Sequence, residues 1–266
     1  MNKKIVLQYL AWTFALALGS WGILSAFGIF GFTLDNAPWL FIVFAIGGMG
    51  PPIASYIALK KNEKVNGFKE WLRNVFAVRS PLRFYLLVIL FLAVYNIPQV
   101  IFTSLGGASP FPIIEGLETL SPFLRFLVLL PMCLIGGGHE EAGWSYALRP
   151  ELEKKFGFVF SSVMVAVIWA LWHIPMYVPQ GTIESLSWFG LFALSLLGGS
   201  FALGAIIKIT KNVWLCLLFH TLDNAIGTAL YGGYTYSLVG QGISTSLLIL
   251  ISVTAVFISE RKSKLS

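Results

Sequence analysis

Long apolar runs without charge follow one another along the chain, separated by short segments that contain basic residues. A helix needs about 20 mainly apolar residues to cross the hydrocarbon core of a bilayer, and the chain divides readily at this length. The pattern predicts spans at residues 5–30, 39–59, 84–105, 123–145, 157–178, 185–207, 212–232 and 243–259. We therefore expect an all-α integral membrane protein, a bundle of about eight transmembrane helices in which residues 1–266 form a single domain.

The composition excludes a water-soluble fold and gives no sign of a nucleic-acid-binding protein. Apolar residues make up 57% of the chain and charged residues only 11%, whereas soluble domains carry about 25% charge. The formal net charge is +6, but the basic residues are not gathered into a basic domain with interleaved aromatic residues. We expect membrane lipid as a partner and no nucleic acid.

The basic residues predict the orientation in the membrane, because Lys and Arg in short loops are retained in the cytoplasm. Of the 18 Lys and Arg residues, all but Arg125 lie before the first span, after the last span or in loops that follow even-numbered spans. This distribution predicts a multi-pass protein of the cell membrane with both termini in the cytoplasm. The segment 60–83 carries seven of these charges among Phe68, Trp71, Leu72 and Phe76, which predicts an interfacial amphipathic helix.

A few polar residues interrupt the apolar runs from the fourth to the seventh predicted span. A charged group at the centre of a membrane helix costs at least about 2.5 kcal/mol, so each such residue needs a reason. The set consists of His139, Glu140, Glu141, His173, His220, Asp223 and Asn224. It contains all three histidines of the chain, which favours one shared polar pocket.

The spacing of these residues supports a common pocket. His220 and Asn224 are four residues apart and share a helix face, whereas the adjacent Glu140 and Glu141 point about 100° apart, so at most one of them aims squarely into the pocket. A carboxylate, two imidazoles and a carboxamide can activate water and stabilise an oxyanion.

Three motifs lie on three separate predicted spans within residues 123–230. They are Glu140-Glu141-Ala-Gly-Trp144, Trp169-Ala-Leu-Trp-His173 and His220-Thr-Leu-Asp-Asn224. In this order they resemble the motifs of the CAAX-protease and bacteriocin-processing (CPBP, Abi) family. That family comprises intramembrane endopeptidases related to the prenyl-protein protease Rce-one. The resemblance therefore implies a peptide hydrolase that acts on a hydrophobic or lipidated peptide or protein.

The resemblance also implies a role for each matching residue. Glu140 is expected to be the general base for the attacking water, with Glu141 in support. His173 is expected to help to orient that water, and His220 and Asn224 to stabilise the oxyanion. The family usually has arginine at the position of Ser145; Arg149, one turn later, either replaces its ion pairing or marks the cytoplasmic interface.

The sequence leaves metal dependence open. His139-Glu140 resembles the start of the zinc motif H-E-x-x-H, but Gly143 occupies the position of the second histidine. Glu140, His173 and His220 are candidates for a site with three ligands that holds a divalent metal such as zinc.

Depth in the membrane is a further constraint on the pocket. In straight helices Glu140 would lie about 13 Å from the cytoplasmic boundary and His173 about 27 Å from it. A shared pocket therefore requires either that the Gly136-Gly137-Gly138 run displaces the fourth span or that residues 156–160 run along the interface.

Two functions outside proteolysis use similar residues. A proton-coupled transporter or channel also places Glu and His in the membrane, and a catalytically silent scaffold would be compatible with Ser145. Discontinuous helices in corresponding halves of the chain would favour transport, and the sequence contains no such symmetry.

Overall fold

The computed structural model describes residues 1–32, 36–107, 116–177, 183–231 and 237–265. The structure is 85% helical, and no strand occurs among the described residues. The prediction of an all-α membrane protein is thereby confirmed.

The helices follow the predicted apolar runs closely in most of the chain. Their bounds are α1 (Lys3–Ile29), α2 (Leu40–Gly48), α3 (Gly50–Lys61), α4 (Phe68–Val75), α5 (Leu82–Leu105), α6 (Pro122–Gly136), the single turn α7 (Glu141–Gly143), α8 (Arg149–Tyr177), α9 (Ile183–Thr210), α10 (Val213–Tyr231) and α11 (Leu238–Leu265). A 3₁₀ turn, Gly138–Glu140, precedes α7, and a π turn, Trp144–Leu148, follows it.

Five helical segments of the described chain are long and apolar enough to cross a membrane. They are Lys3–Ile29, Leu82–Leu105, Pro122–Met176, Phe189–Thr210 and Leu238–Ser263. A sixth results if α2 and α3, which meet at a bend of 46°, form one span. The segment Pro122–Met176 has 55 residues; it contains the predicted span 123–145 and most of the predicted span 157–178. A total of eight spans stays a prediction.

The bend between α2 and α3 has a cause in the sequence. Proline has no backbone N–H, so Pro51 and Pro52 cannot donate to the carbonyls one turn earlier. The chain therefore bends just before the two prolines, as their position predicts.

The fourth predicted span, 123–145, is not one helix. The helix α6 ends at Gly136, and its 15 residues would extend only about 22 Å. Residues 138–148 form the three short turns instead. The expectation of a continuous helix through Glu140 was wrong because three consecutive glycines favour a break inside an apolar run.

The helix predicted over 60–83 is also shorter than expected. Only α4 is regular between Asn62 and Pro81, and it has eight residues. Trp71 is buried, and its indole N–H donates to Ser55 Oγ at 3.1 Å. Phe68 and Leu72 are exposed, so the apolar face of this segment is divided between the protein and its surroundings.

The elements that carry the three motifs form one connected group, and the third motif lies on α10. This helix contacts α5, α6 and α9, as well as the turns between α6 and α8. In turn, α8 packs on α9 and α1. All three motifs therefore meet within one group of helices.

Candidate active site

The break after α6 brings Glu140 against α10. Gly137 caps the helix, and its carbonyl accepts the N–H of Glu140 at 2.8 Å. The backbone at this point lies so close to α10 that a Cβ atom on Gly137 would overlap Asn224 Nδ2 and lie 3.2 Å from His220 Nε2. A residue with a side chain would not keep this approach, because either the loop or the Asn224 carboxamide would have to move.

The Glu140 carboxylate is held by two tryptophans. Its Oε2 atom accepts the indole N–H of Trp169 at 2.7 Å and that of Trp144 at 3.1 Å. Glu140 is 5% exposed, and no other described residue donates to the carboxylate. The second oxygen, Oε1, is therefore available to a molecule in the adjoining cavity.

Glu141 faces a different partner from Glu140. Its Oε1 atom lies 3.2 Å from His220 Nδ1, and its Oε2 atom accepts the hydroxyl of Ser145. Glu141 is fully buried and does not line the cavity, whereas Glu140 does. The two adjacent carboxylates thus diverge, as the 100° separation between successive helical residues requires.

His173 is oriented by its own helix. Its Nδ1 atom lies 2.9 Å from the carbonyl oxygen of Trp169. Since a carbonyl only accepts, Nδ1 carries the proton and Nε2 holds the lone pair in the neutral ring. The imidazole is wedged between Trp172 and Phe192, whose ring centroids lie 4.6 and 4.7 Å away.

A single cavity of about 430 Å³ connects these groups. The predicted site residues Glu140, His173, His220 and Asn224 all line it. Its remaining wall is mainly apolar and includes Leu129, Met132, Met176, Phe192, Leu196 and Phe219. The cavity thus combines a compact polar cluster with a hydrophobic surround.

Asp223 also lines the cavity, and its partner comes from outside the motifs. Asn96 on α5 donates from Nδ2 to Asp223 Oδ1 at 3.1 Å and to the carbonyl of Leu92 at 3.0 Å. The sequence reasoning missed Asn96, although a carboxamide inside the apolar run 84–105 was a visible signal. The helix α10 continues without a break through Asp223.

Two interruptions of the helices change the geometry on which the depth estimates for Glu140 and His173 depend. The first is the break at Gly137. The second is a kink within α8 at Gly157, where φ is 71° and ψ is 179°. Residues with a side chain rarely adopt this positive φ. The estimate from straight helices therefore does not apply, and Trp169 reaches Glu140 directly.

Arg149 does not replace the expected ion pairing. The guanidinium donates to Ser162 Oγ at 3.0 Å and to the carbonyl and hydroxyl oxygens of Ser200 at 2.8 and 2.7 Å. Its hydrogen bonds therefore go to serine oxygens rather than to Glu141, and the side chain is only 1% exposed. Ser145 itself takes a place beside Glu141.

The described part of the chain contains no arrangement expected of a metal site, because no three His, Cys, Asp or Glu side chains there are placed to hold a metal ion. A Cβ atom on Gly143 would meet Tyr9 Oη at 2.5 Å and Pro51 at 2.7 Å, so a histidine at that position would not fit. His139 points both ring nitrogens at carbonyls instead, those of Leu134 and Gly48, at 3.2 and 3.1 Å.

The fold and the cavity define a multi-pass helical membrane protein with a buried polar cluster. Residues 122–226 match the family described as type II CAAX prenyl endopeptidase Rce1-like. This segment contains all three motifs, and the family that it matches consists of CAAX prenyl endopeptidases. The resemblance based on the motifs is thereby confirmed. No curated protein matches the chain.

Proposed function

We propose that this protein is an intramembrane endopeptidase that hydrolyses a peptide bond of a hydrophobic or membrane-associated peptide with a water activated by Glu140. The observation that carries the proposal is the meeting of Glu140, His173, His220 and Asn224 at one cavity. These groups provide a general base, a hydrogen-bond acceptor that orients the water, and hydrogen-bond donors for the oxyanion. Peptide hydrolysis needs all three.

The attacking water is held between Glu140 and His173. Glu140 Oε1 is the carboxylate oxygen without an indole donor, and Nε2 of His173 carries the free lone pair because Nδ1 bonds a carbonyl. The water donates one hydrogen to each. Glu140 takes its proton as the oxygen forms a bond to the peptide carbonyl carbon.

The resulting oxyanion is stabilised from α10. His220 Nε2 and Asn224 Nδ2 both approach Gly137, so their hydrogens can converge on one oxygen next to the base. The Glu141 carboxylate at His220 Nδ1 favours the doubly protonated imidazolium, which then donates from Nε2. Glu141 therefore supports the reaction through His220.

Collapse of the tetrahedral intermediate completes the hydrolysis. Glu140 returns its proton to the nitrogen of the scissile bond, the C–N bond breaks, and an amine and a carboxylic acid leave. Every step uses groups of this chain, and none is assigned to a metal, since Glu140, His173 and His220 are not arranged as ligands.

The chemistry of the cavity wall indicates the substrate class. Apolar residues surround the polar cluster, so a peptide with hydrophobic or lipidated side chains is favoured over a charged one. The distribution of Lys and Arg supports a cell-membrane protein with both termini in the cytoplasm. In such a protein, a hydrophobic peptide would reach the cavity from the lipid.

Cleavage by the purified protein in detergent tests the proposal. We expect hydrolysis within a panel of prenylated and unprenylated hydrophobic peptides, with or without a chelator. A transporter would need a gradient and a scaffold would cleave nothing, so failure to cleave any of these peptides would contradict the proposal.

A further inference from the structure

The two indole N–H groups that converge on Glu140 form a second layer of the site. Trp144 follows Glu140 by one helical turn, and Trp169 precedes His173 by one turn. Both indole N–H groups donate to the same oxygen, Glu140 Oε2, with N···O distances of 3.1 Å for Trp144 and 2.7 Å for Trp169. Each of the first two motifs thus supplies one group for the proposed chemistry and one tryptophan for Glu140.

The tryptophans are themselves fixed by packing. Trp144 is 1% exposed and Trp169 4%. The Trp144 ring packs edge-on against Tyr9 with 5.6 Å between centroids, and it lies 6.1 Å from the Trp169 ring. Because neither indole is free to turn, their N–H groups fix the position of the carboxylate oxygen.

Burial alone does not explain these two hydrogen bonds. Trp172 belongs to the same aromatic group, 5.7 Å from Trp144, and is 1% exposed. Its indole N–H has no hydrogen-bond partner among the described residues. Not every indole of this aromatic group donates to a described residue, so the convergence of two of them on Oε2 is a specific arrangement.

We infer that Trp144 and Trp169 are positioning residues that select Glu140 Oε1 as the basic atom by occupying Oε2. A carboxylate that rotated freely would share the proton between both oxygens and lose its alignment with the water. Two N–H donors on one oxygen prevent this rotation and stabilise the ionised form that can accept a proton. The inference rests on the proposed function of Glu140.

The test replaces each tryptophan by phenylalanine, which keeps an aromatic ring and removes the N–H. Trp71→Phe is the matched control, because that buried indole also donates a hydrogen bond, to Ser55 Oγ at 3.1 Å, outside the cavity. We expect kcat to fall about 10- to 100-fold in Trp144→Phe and Trp169→Phe, from the loss of one hydrogen bond to a charged group. KM should change by less than about threefold.

The pH profile separates positioning from packing. With one donor lost, the ionised carboxylate is less favoured, so the acid limb of kcat against pH should move to higher pH in both variants and stay unchanged in Trp71→Phe. Replacing Trp169 by benzothienylalanine, in which sulfur takes the place of N–H, removes the donor with almost no change in shape. It should show the same fall in kcat and the same shift of the acid limb that we expect for Trp169→Phe. It therefore keeps the test valid if the phenylalanine variant fails to fold.

Two outcomes distinguish the inference from the function on which it rests. If Glu140→Gln is inactive while the benzothienylalanine protein and Trp144→Phe match Trp71→Phe in kcat and pH profile, the positioning role is wrong and the proposed function stands. If Glu140→Gln retains cleavage, the proposed function itself is wrong.

Discussion

Glu140 and Glu141 are adjacent in sequence but have entirely different surroundings. Glu140 receives two indole N–H groups and borders the cavity, whereas Glu141 is enclosed between Ser145 and His220. The divergence follows from helical geometry, and the motif could predict it. Which partners each carboxylate would find was not predictable, because they come from other turns and from α8 and α10.

Glu141→Gln should reduce turnover by about 10-fold, less than any change of the base. The amide keeps the shape of the side chain and can still accept from His220 Nδ1, but it loses the charge that favours the imidazolium. Steady-state cleavage of the same peptide by both glutamine variants measures the difference. A larger loss of turnover in Glu141→Gln than in Glu140→Gln would show that Glu141, and not Glu140, is the base.

At the scale of elements, the turns between α6 and α8 determine the site. A run of apolar residues from 123 to 145 predicts one helix, and this was the main error of the sequence interpretation. The actual path depends on contact with α10, where Gly138 lies directly against Thr221. Such long-range packing leaves no periodic signal in the sequence. The three consecutive glycines did indicate that the helix could break at this point.

His139 connects these turns to the bend between α2 and α3. The carbonyl of Gly48 would accept from the N–H of residue 52 in a regular helix, but that residue is proline and has no N–H. A ring nitrogen of His139 lies 3.1 Å from this carbonyl. The His139 side chain thus connects the break after α6 with the bend between α2 and α3. The spacing of residues in the sequence did not predict this contact.

Gly137→Ala should reduce turnover by at least about 100-fold while the protein stays folded. The added Cβ would overlap Asn224 Nδ2, so the loop or the carboxamide must move, and a displacement of about 1 Å in a catalytic group can cost 10²-fold. Gly136→Ala is the matched control, because a Cβ there meets no atom within 4 Å. Equal activity of the two variants would show that the close approach of α10 is not required.

At the scale of the whole molecule, the apolar runs predicted the long helices well. The bounds of α1, α5 and α10 lie within two residues of the predicted spans 5–30, 84–105 and 212–232. Hydrophobic length alone determines these elements, since a helix is the simplest way to satisfy the backbone in lipid. The bundle that joins them depends on side-chain contacts, and Asn96 on α5 shows that the cavity recruits residues from outside the motifs.

The distribution of basic residues predicts how the bundle is oriented. Single cysteines at positions 64 and 154, in a protein without Cys133 and Cys216, should react only with reagents that reach the cytoplasm. Cysteines at Asp35, Ser109 and Tyr234, which lie outside the described residues, should react from the opposite side. Labelling of position 64 from outside the cell would refute the orientation, and an odd number of spans would refute the count.

The central claim is that the Glu140 carboxylate accepts the proton of the attacking water. The most direct measurement compares peptide cleavage by the wild-type protein and Glu140→Gln in detergent, with circular dichroism to confirm that both are folded. An amide keeps the shape but cannot take the proton, so the rate should fall by about 10²- to 10⁴-fold. Cleavage by Glu140→Gln at the wild-type rate would contradict the account.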